Sequence, residues 1–362
     1  MKCDMSDRVD LHKRISCQGG LSLLRSFDLI GLGAAADRFC QELHPERYRT
    51  YIIDRNINYT NICISGCKFC AFYKDEDSIE GYVLSRDEIF KKIEETIQLG
   101  GTQILMQGGL HPLLKIDYYV DLLQSIKERF TIHIHSFSPP EIMYFSRLND
   151  LPVKEIVSLL RDAGLDTLPG GGAEILTDRC RGLLSPNKCS ANEWIQVMRE
   201  AHELGMKSTA TMMFGHIETL EERITHLERI RKLQEETGGF TAFIPWTLQP
   251  KNTALAHFSG ERNRYEIGGF DYLKALAVSR LYLDNIPNIQ ASWVTQGPKI
   301  AQLALRFGAN DMGSTMIEEN VVKAAGVSYR MEKEEMVLLI ESLGYEAIQR
   351  DCYYAKAEYS LS

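Results

Sequence analysis

The chain has 362 residues, of which 44% are hydrophobic and 25% are charged, a composition that predicts a folded globular protein with a sizeable core. Its formal net charge of −8 and its lack of a dense lysine or arginine run argue against nucleic-acid binding, because phosphate recognition requires a basic surface. No apolar stretch approaches the roughly 20 residues that a membrane span needs, and the N-terminus lacks the apolar core of a signal peptide, so we expect a cytoplasmic protein.

Strand-like and helix-like segments alternate between residues 52 and 325, after a predicted helix at residues 21–43. Strands are predicted at residues 52–59, 102–106, 131–136, 165–168, 207–214, 240–246, 288–293 and 309–312. Helices are predicted at residues 85–99, 117–129, 153–163, 191–204, 219–235, 272–283 and 298–307, and a final helix at residues 333–343. Such alternation favours β–α units around a parallel sheet.

Eight strands of this kind predict an α/β fold, a closed (β/α)8 barrel of the TIM type, although a six-unit partial barrel fits the same pattern. We expect residues 1–50 to form an N-terminal helical extension, residues 51–325 the barrel, and residues 326–362 a C-terminal helix and tail packed on it. In such barrels the loops after the strands form the active-site face. Polar and glycine-rich residues in those loops are therefore the candidate site residues.

Three of the nine cysteines, Cys63, Cys67 and Cys70, lie within eight residues in the loop after the first strand. A chain of this size does not need disulfides for stability, so the triplet predicts a metal site. Three thiolates at the spacing C-x3-C-x2-C can bind a 4Fe-4S cluster while one iron stays without a protein ligand. A structural zinc site is the alternative, but zinc prefers four protein ligands, and the nearby sequence offers no fourth.

Glycine-rich and polar loops follow the next three strands. Gly108 and Gly109 follow the second strand and can let the backbone approach a ligand closely, or simply form a tight turn. Ser136 ends the third strand and can contact a ligand, while residues 138–141 fit the start of a helix with a Ser-x-x-Glu cap. A run of three glycines follows the fourth strand and leads into Glu174, which can bind a ribose hydroxyl or an ammonium group.

The cysteine loop, with Phe69 before its last cysteine, resembles the signature of the radical S-adenosylmethionine (SAM) superfamily. The resemblance implies that SAM chelates the open iron of a 4Fe-4S cluster, and that its reductive cleavage gives a 5'-deoxyadenosyl radical. It implies that Phe69 packs near the adenine, and that Gly108 and Gly109 bind the methionine amino group of SAM. An electron donor such as flavodoxin or ferredoxin is implied as a partner.

Four further segments sharpen the resemblance: DRNINYTN (54–61), PGGGAEIL (169–176), TMMFGHIET (211–219) and FIPWT (243–247). Together they are similar to the cyclic dehypoxanthine futalosine synthase family of menaquinone biosynthesis. The resemblance implies that the substrate is dehypoxanthine futalosine, which loses a hydrogen atom from C4' of its sugar before the ring closes onto the arene. Aminofutalosine synthase, the tyrosine-using enzyme of deazaflavin biosynthesis and a non-catalytic iron–sulfur or zinc protein are the alternatives.

Residues near the strand ends are candidates for substrate binding and proton transfer. The sugar hydroxyls and the carboxylate of the substrate need polar partners, and a radical needs apolar walls that exclude water. We expect His216 to accept the final proton, since a neutral imidazole just after a strand can act as a base. For each candidate the alternative is a structural role, such as a hydrogen-bonded turn. The substrate-binding candidates are Asn56, Tyr59, Asn61, Trp246 and Asp311.

Overall fold

A parallel sheet of seven strands curls around the centre of the protein. The computed structural model describes residues 13–257, 267–327 and 329–357. The strands in these ranges are β1 (Tyr48–Ile52), β2 (Asp54–Ile57), β3 (Gln103–Met106), β4 (His133–Ser136), β5 (Thr167–Leu168), β6 (Lys207–Phe214), β7 (Phe240–Thr247), β8 (Asn288–Ile289), β9 (Asp311–Ser314) and β10 (Glu346–Gln349). The seven-stranded sheet runs in the order β2-β3-β4-β5-β6-β7-β8, so each strand pairs with the next along the chain.

Strand β9 closes the gap between the two edges of this sheet. It pairs in parallel with β1, which leads directly into β2, and a single bridge joins Asp311 to Gln290 just after β8. Beyond β9, the N–H of Ile317 donates to the carbonyl oxygen of Asp54 at 3.1 Å. The curled seven-stranded sheet, with β9 spanning the gap between its edges, confirms the predicted α/β fold of the TIM-barrel type.

Helices cover the outside of the barrel. They are α1 (Cys17–Arg25), α2 (Leu29–Leu43), α3 (Arg86–Gln98), α4 (Ile116–Arg129), α5 (Pro139–Asn149), α6 (Val153–Asp162), α7 (Asp178–Leu184), α8 (Ala191–Glu203), α9 (Leu220–Thr237), α10 (Gly269–Tyr282), α11 (Trp293–Gln296), α12 (Pro298–Ala304), α13 (Val321–Ala324) and α14 (Lys333–Glu341). Within the described ranges, none of them combines the length and apolar character that crossing a bilayer requires.

Local capping residues decide where several helices begin. The helix predicted at residues 21–43 is two helices, because the carboxylate of Asp28 accepts a hydrogen bond from Gly31 at 2.9 Å and starts α2 afresh. Capping boxes are present at Ser85, with Glu88 as its partner, and at the predicted cap Ser138, with Glu141 as its partner. The second of these places the N-terminus of α5 directly after β4.

The C-terminal tail closes the N-terminal end of the barrel, which is called the floor below. Strand β10, which the sequence pattern does not predict, pairs in parallel with β1. Arg350 follows it and forms a buried ion pair with Asp311 at 2.6 Å. The guanidinium carbon of Arg350 lies 3.8 Å from the ring centroid of Tyr354. With the floor closed in this way, the opposite end, called the mouth, is where loops can receive a ligand.

Candidate active site

The three cysteines lie in a compact loop at the mouth, between β2 and α3. The N–H of Cys63 donates to the carbonyl oxygen of Lys74 at 3.0 Å, which fixes the start of the loop. The hydroxyl of Ser65 lies 2.9 Å from the sulfur of Cys63 and 3.3 Å from that of Cys67. The N–H of Leu110 donates to the sulfur of Cys63 at 3.2 Å. The loop thus gathers thiols and hydrogen-bond donors that suit negatively charged sulfur.

This thiol set fits a 4Fe-4S cluster with one iron left open. Burial raises the pKa of Cys67 to about 11, so the free thiol keeps its proton and cluster binding must displace it. A cavity of about 310 Å³ lies against Cys67 and Cys70. Among the described residues, no three His, Cys, Asp or Glu side chains are grouped closely enough to hold a single metal ion. A cubane instead distributes its three thiolates over separate irons.

The glycine turn after β3 packs directly against the cysteine loop. A Cβ at Gly109 would overlap the carbonyl oxygen of Ile62 and lie 2.8 Å from the Cβ of Cys63. A Cβ at Gly108 would overlap the ring of Tyr59. The N–H of Gly109 donates to a backbone carbonyl at 3.0 Å, and that of Gly108 donates to a carboxylate at 3.0 Å. Because both N–H groups are used, the turn offers carbonyl oxygens to a ligand, which suit an ammonium group.

Glu141 connects three elements beneath this turn. Its carboxylate accepts hydrogen bonds from the hydroxyl of Tyr59 at 2.8 Å, the N–H of Gly108 at 3.0 Å and the hydroxyl of Ser138 at 2.6 Å. Burial raises the pKa of Glu141, although these bonds oppose the shift. Tyr59 is fully buried, as is Ser136, whose hydroxyl donates to a β3 carbonyl at 2.6 Å. Both predicted site residues therefore support the turn from below.

Glu174 belongs to a buried charged group beside the cysteine loop. Its carboxylate accepts hydrogen bonds from Lys188 at 3.1 Å and Arg181 at 3.3 Å, and only 7% of the residue is exposed. The ammonium of Lys188 lies 5.1 Å from the ring centroid of Phe69. The structure thus brings the predicted Phe69 and Glu174 together near Cys67. Arg181 also donates to the carbonyl oxygens of residues 172, 173 and 189, which leaves Lys188 as the cation that suits a ligand carrying a carboxylate.

The glycine run before Glu174 is required by close packing. A Cβ at Gly170 would lie 2.6 Å from a carbonyl oxygen of β6, and one at Gly171 would lie 2.6 Å from the side-chain nitrogen of Gln107. Gly172 has a φ of +70° and Glu174 a φ of +40°, in the left-handed region that non-glycine residues seldom adopt. The run therefore positions a strained Glu174 at the mouth, a feature typical of functional loops.

Both ring nitrogens of His216 are already used within the protein. Nε2 lies 3.0 Å from the carbonyl oxygen of Met213, while Nδ1 lies 2.7 Å from the N–H of Ile217 and 2.9 Å from the carboxylate of Glu218. Burial raises the pKa of Glu218, but His216 and Arg223 outweigh it and hold that pKa well below its usual value. This geometry fixes the loop after β6 and does not favour the predicted role of His216 as a base.

Half-buried side chains show where the barrel interior is open. Ile244 and Trp246 are half-buried, while their neighbours in β7 are buried, and Leu105, Thr211 and Gln290 are half-buried as well. Since helices cover the outside, strand residues of this kind keep their exposure by facing the barrel interior. The indole nitrogen of Trp246 is buried without a hydrogen-bond partner in the described part of the chain. Such a donor is suited to an acceptor on a ligand.

The remaining substrate candidates are not brought to one place. Asn56 is 5% exposed on β2, with its amide oxygen 3.5 Å from the amide nitrogen of Asn58. Both ends of the Asn61 amide bind the backbone of residues 80–82, at 2.8 and 2.9 Å. Asp311 is fully buried at the floor, against the expectation that it lies at the mouth. Of the five candidates, Trp246 most clearly borders the open interior, and Asp311 lies outside the site.

Sequence reasoning did not single out Lys188, Arg181 or Gln290. Arg181 lies in α7, Lys188 follows that helix, and Gln290 follows β8. None of them stands in a pattern with a chemical signature, so only tertiary packing assigns them to the site. Glu141 did carry a signal, because its capping box placed it directly after β4.

Known proteins similar to this chain cover nearly all of it. Residues 57–230 match the radical SAM superfamily, and residues 237–361 match the CofH/MqnC C-terminal region. Cyclic dehypoxanthine futalosine synthase of Halalkalibacterium halodurans is 48% identical over 343 residues, which cover 94% of this chain and 91% of that protein.

Two relatives carry other names. 5-Amino-6-(D-ribitylamino)uracil–L-tyrosine 4-hydroxyphenyl transferase of Methanococcoides burtonii is 44% identical over 309 residues, covering 84% of this chain and 86% of that protein. Aminodeoxyfutalosine synthase of Thermus thermophilus is 39% identical over 354 residues, covering 97% and 94%.

The crystal structure of methylornithine synthase shares the fold, with a TM-score of 0.71 at 20% identity over 95% of this chain and 97% of that one. Enzymes of the matched superfamily use a 4Fe-4S cluster and SAM, which agrees with the thiol set at the mouth. The chain is therefore a radical SAM enzyme, a member of the family that includes the cyclic dehypoxanthine futalosine synthases.

Proposed function

We propose that this protein converts dehypoxanthine futalosine to cyclic dehypoxanthine futalosine in cytoplasmic menaquinone biosynthesis. The main support is the 48% identity over 343 residues with the relative of that name. The relatives named for the two alternative reactions are 44% and 39% identical. All three reactions require the same cluster and SAM site at the mouth. The substrate that the barrel interior binds therefore decides which of the three reactions this protein catalyses.

The mouth residues have distinct tasks in this proposal. Cys63, Cys67 and Cys70 hold the 4Fe-4S cluster, and a flavodoxin or ferredoxin supplies its electron. When bound, the cluster and SAM would supply a 5'-deoxyadenosyl radical for hydrogen abstraction from C4' of the sugar. Phe69 packs against the adenine, and the carbonyl oxygens of the glycine turn accept from the SAM ammonium group.

The charged group beside the loop completes the cofactor site. Arg181 donates mainly to the carbonyl oxygens of residues 172, 173 and 189, so Lys188, which pairs with Glu174 at 3.1 Å beside the cysteine loop, is the cation assigned to the carboxylate of SAM. Glu174 in turn prevents two buried cations from repelling each other. The proposal assigns these residues to binding and orientation.

The barrel interior positions the substrate and excludes water. Leu105, Ile244 and the face of Trp246 supply apolar walls, which protect a carbon radical from solvent hydrogen donors. The unpartnered N–H of Trp246, with the polar side chains of Thr211 and Gln290, can bind sugar oxygens or the substrate carboxylate. Holding the sugar against the arene favours ring closure over loss of the radical.

A substrate comparison tests the proposal. Reconstituted, reduced protein is incubated anaerobically with SAM and either dehypoxanthine futalosine or the substrates of the two alternative enzymes. We expect 5'-deoxyadenosine and a product lighter by two hydrogen atoms with dehypoxanthine futalosine only. Turnover with the substrates of either alternative enzyme, and none with dehypoxanthine futalosine, would contradict the proposal.

Two cysteine variants provide the control. Cys67→Ala removes a cluster ligand and should abolish cluster assembly and 5'-deoxyadenosine formation together. Cys40→Ala removes a fully buried thiol that lies 3.7 Å from the carbonyl oxygen of Ala309, away from the cysteine loop. It should keep both the cluster and turnover. Turnover by Cys67→Ala would contradict the assignment of the ligands.

A further inference from the structure

A chain of polar side chains runs from the barrel interior to the floor through His135, Thr167 and His133. We propose that this chain is a proton relay, in which His135 takes the proton that the substrate ring loses and Thr167 and His133 pass it to solvent. The inference rests on the proposed function, because ring closure onto an arene must release a proton to restore aromaticity. His216 is less suited to take this proton, because both of its ring nitrogens are engaged within the protein.

The distances make Thr167 the link between the two imidazoles. Its hydroxyl oxygen lies 2.7 Å from Nδ1 of His135, 2.8 Å from Nε2 of His133 and 3.3 Å from the sulfur of Cys352. Burial raises the pKa of Cys352 to about 12, so its thiol stays protonated.

A hydroxyl donates one hydrogen bond and accepts two. When the Thr167 hydroxyl donates to either imidazole, it can accept from the other imidazole and from the Cys352 thiol. This is the arrangement along which a proton can move from ring to ring.

His135 keeps a small exposure inside the barrel. It is 7% exposed, and its partner across the β3–β4 pair, Leu105, is half-buried in the middle of a strand. Because Thr167 engages Nδ1, Nε2 is the nitrogen that can meet a substrate. The radical is generated at the mouth. A base at the depth of His135 would contact the arene from the opposite side, nearer the floor.

Charges around the two imidazoles favour outward movement of the proton. Burial, together with the nearby His133 and Arg350, lowers the pKa of His135 to about 3, so His135 starts neutral and does not retain a proton. Burial also lowers the pKa of His133, but Asp166 and Asp351 oppose that shift. His133 is half-buried, and its ring lies 5.3 Å from that of Tyr353, which is 52% exposed. The outer imidazole therefore opens towards solvent.

The relay moves one proton and no electron. The C–H bond of the ring carbon breaks and its electron pair stays with the substrate, which becomes a radical anion and reaches the aromatic product by giving one electron to a one-electron acceptor of the iron–sulfur class. The proton goes to Nε2 of His135 while Nδ1 of the same ring gives its proton to the Thr167 oxygen. Thr167 passes its own proton to Nε2 of His133, which releases one from Nδ1 to water. Each protein group ends neutral.

A matched pair of variants tests the relay in the reconstituted holoenzyme. Thr167→Val keeps the shape of the side chain but removes the hydroxyl, and Thr167→Ser restores the hydroxyl. We expect cyclised product to fall by about 100-fold in Thr167→Val, the usual contribution of a positioned base, while 5'-deoxyadenosine still forms. Thr167→Ser should restore the wild-type ratio of product to 5'-deoxyadenosine. His135→Gln should show the same uncoupling as Thr167→Val.

The ratio of cyclised product to 5'-deoxyadenosine distinguishes a proton relay from a structural role of Thr167 and His135. It also distinguishes failure of the relay from failure of the proposed function. A structural role would lower 5'-deoxyadenosine and cyclised product together, and that outcome in both Thr167→Val and His135→Gln would overturn the relay. An unchanged ratio at the wild-type rate would overturn it as well. Wild-type protein that gives neither compound with dehypoxanthine futalosine would overturn the proposed function, and the relay with it. Circular dichroism of each variant checks that it is folded, and its iron content checks that the cluster is bound.

Discussion

Replacing Gly109 with alanine would show how tightly the glycine turn fits the cysteine loop. The added Cβ would overlap the carbonyl oxygen of Ile62 and lie 2.7 Å from its carbonyl carbon and 2.8 Å from the Cβ of Cys63. Carbon atoms in contact lie about 3.5–4.0 Å apart, so the backbone at residues 62–63 must move by roughly 1 Å. Overpacking of this kind costs about 1–3 kcal/mol, and the movement carries the sulfur of Cys63 with it.

Two measurements follow from this geometry. We expect Gly109→Ala to lower the free energy of unfolding in urea by about 1–3 kcal/mol, and to lower the iron and sulfide bound after anaerobic reconstitution. Gly182→Ala is the control, because Gly182 is exposed in α7 and a Cβ there meets nothing within 4 Å. It should be neutral or stabilise by about 0.5–1 kcal/mol. Wild-type iron content and stability in Gly109→Ala would refute the reasoning.

Three further variants test the floor, the loop after β6 and the barrel interior. Asp311→Asn leaves the buried Arg350 without its carboxylate and should cost about 3–5 kcal/mol in urea unfolding, whereas a loss below about 1 kcal/mol would contradict the ion pair. The folded-state pKa of Glu218 is lowered, so its stabilisation is present above the unfolded value of about 4.3 and is lost as pH falls further. The stability difference between wild type and Glu218→Gln should therefore shrink below about pH 4, and a difference that grows there would contradict this. Trp246→Phe should raise the substrate KM by about 10-fold with little change in stability, and an unchanged KM would remove the indole N–H from the site.

The sequence was sufficient for the barrel and for the cysteine triplet, because both are local patterns. Alternating strand and helix periods predict β–α units, and the spacing of Cys63, Cys67 and Cys70 places three thiols on one loop. The capping boxes at Ser85 and Ser138 are equally local, and both are present. Strand number followed from counting these units.

The roles of individual polar residues depend on contacts that the sequence does not display. Asp311 lies in a strand-like pattern near other polar residues, but its partner Arg350 is 39 positions away. Arg350 follows strand β10, whose pairing with β1 is not predicted by any local pattern. His216 stands just after a strand, where a base is expected, but the turn that follows engages both of its nitrogens. The sequence predicts that Tyr59 contacts the substrate, whereas in the structure its hydroxyl donates to the buried Glu141.

The position of the abstracted hydrogen tests the central claim most directly. Dehypoxanthine futalosine carrying deuterium at C4' is incubated anaerobically with the reduced, reconstituted enzyme and SAM. The deuterium content of 5'-deoxyadenosine and of the product is then measured by mass spectrometry. The proposed function predicts one deuterium in 5'-deoxyadenosine and a cyclised product that has lost it. Unlabelled 5'-deoxyadenosine, or labelled 5'-deoxyadenosine without cyclised product, would contradict it.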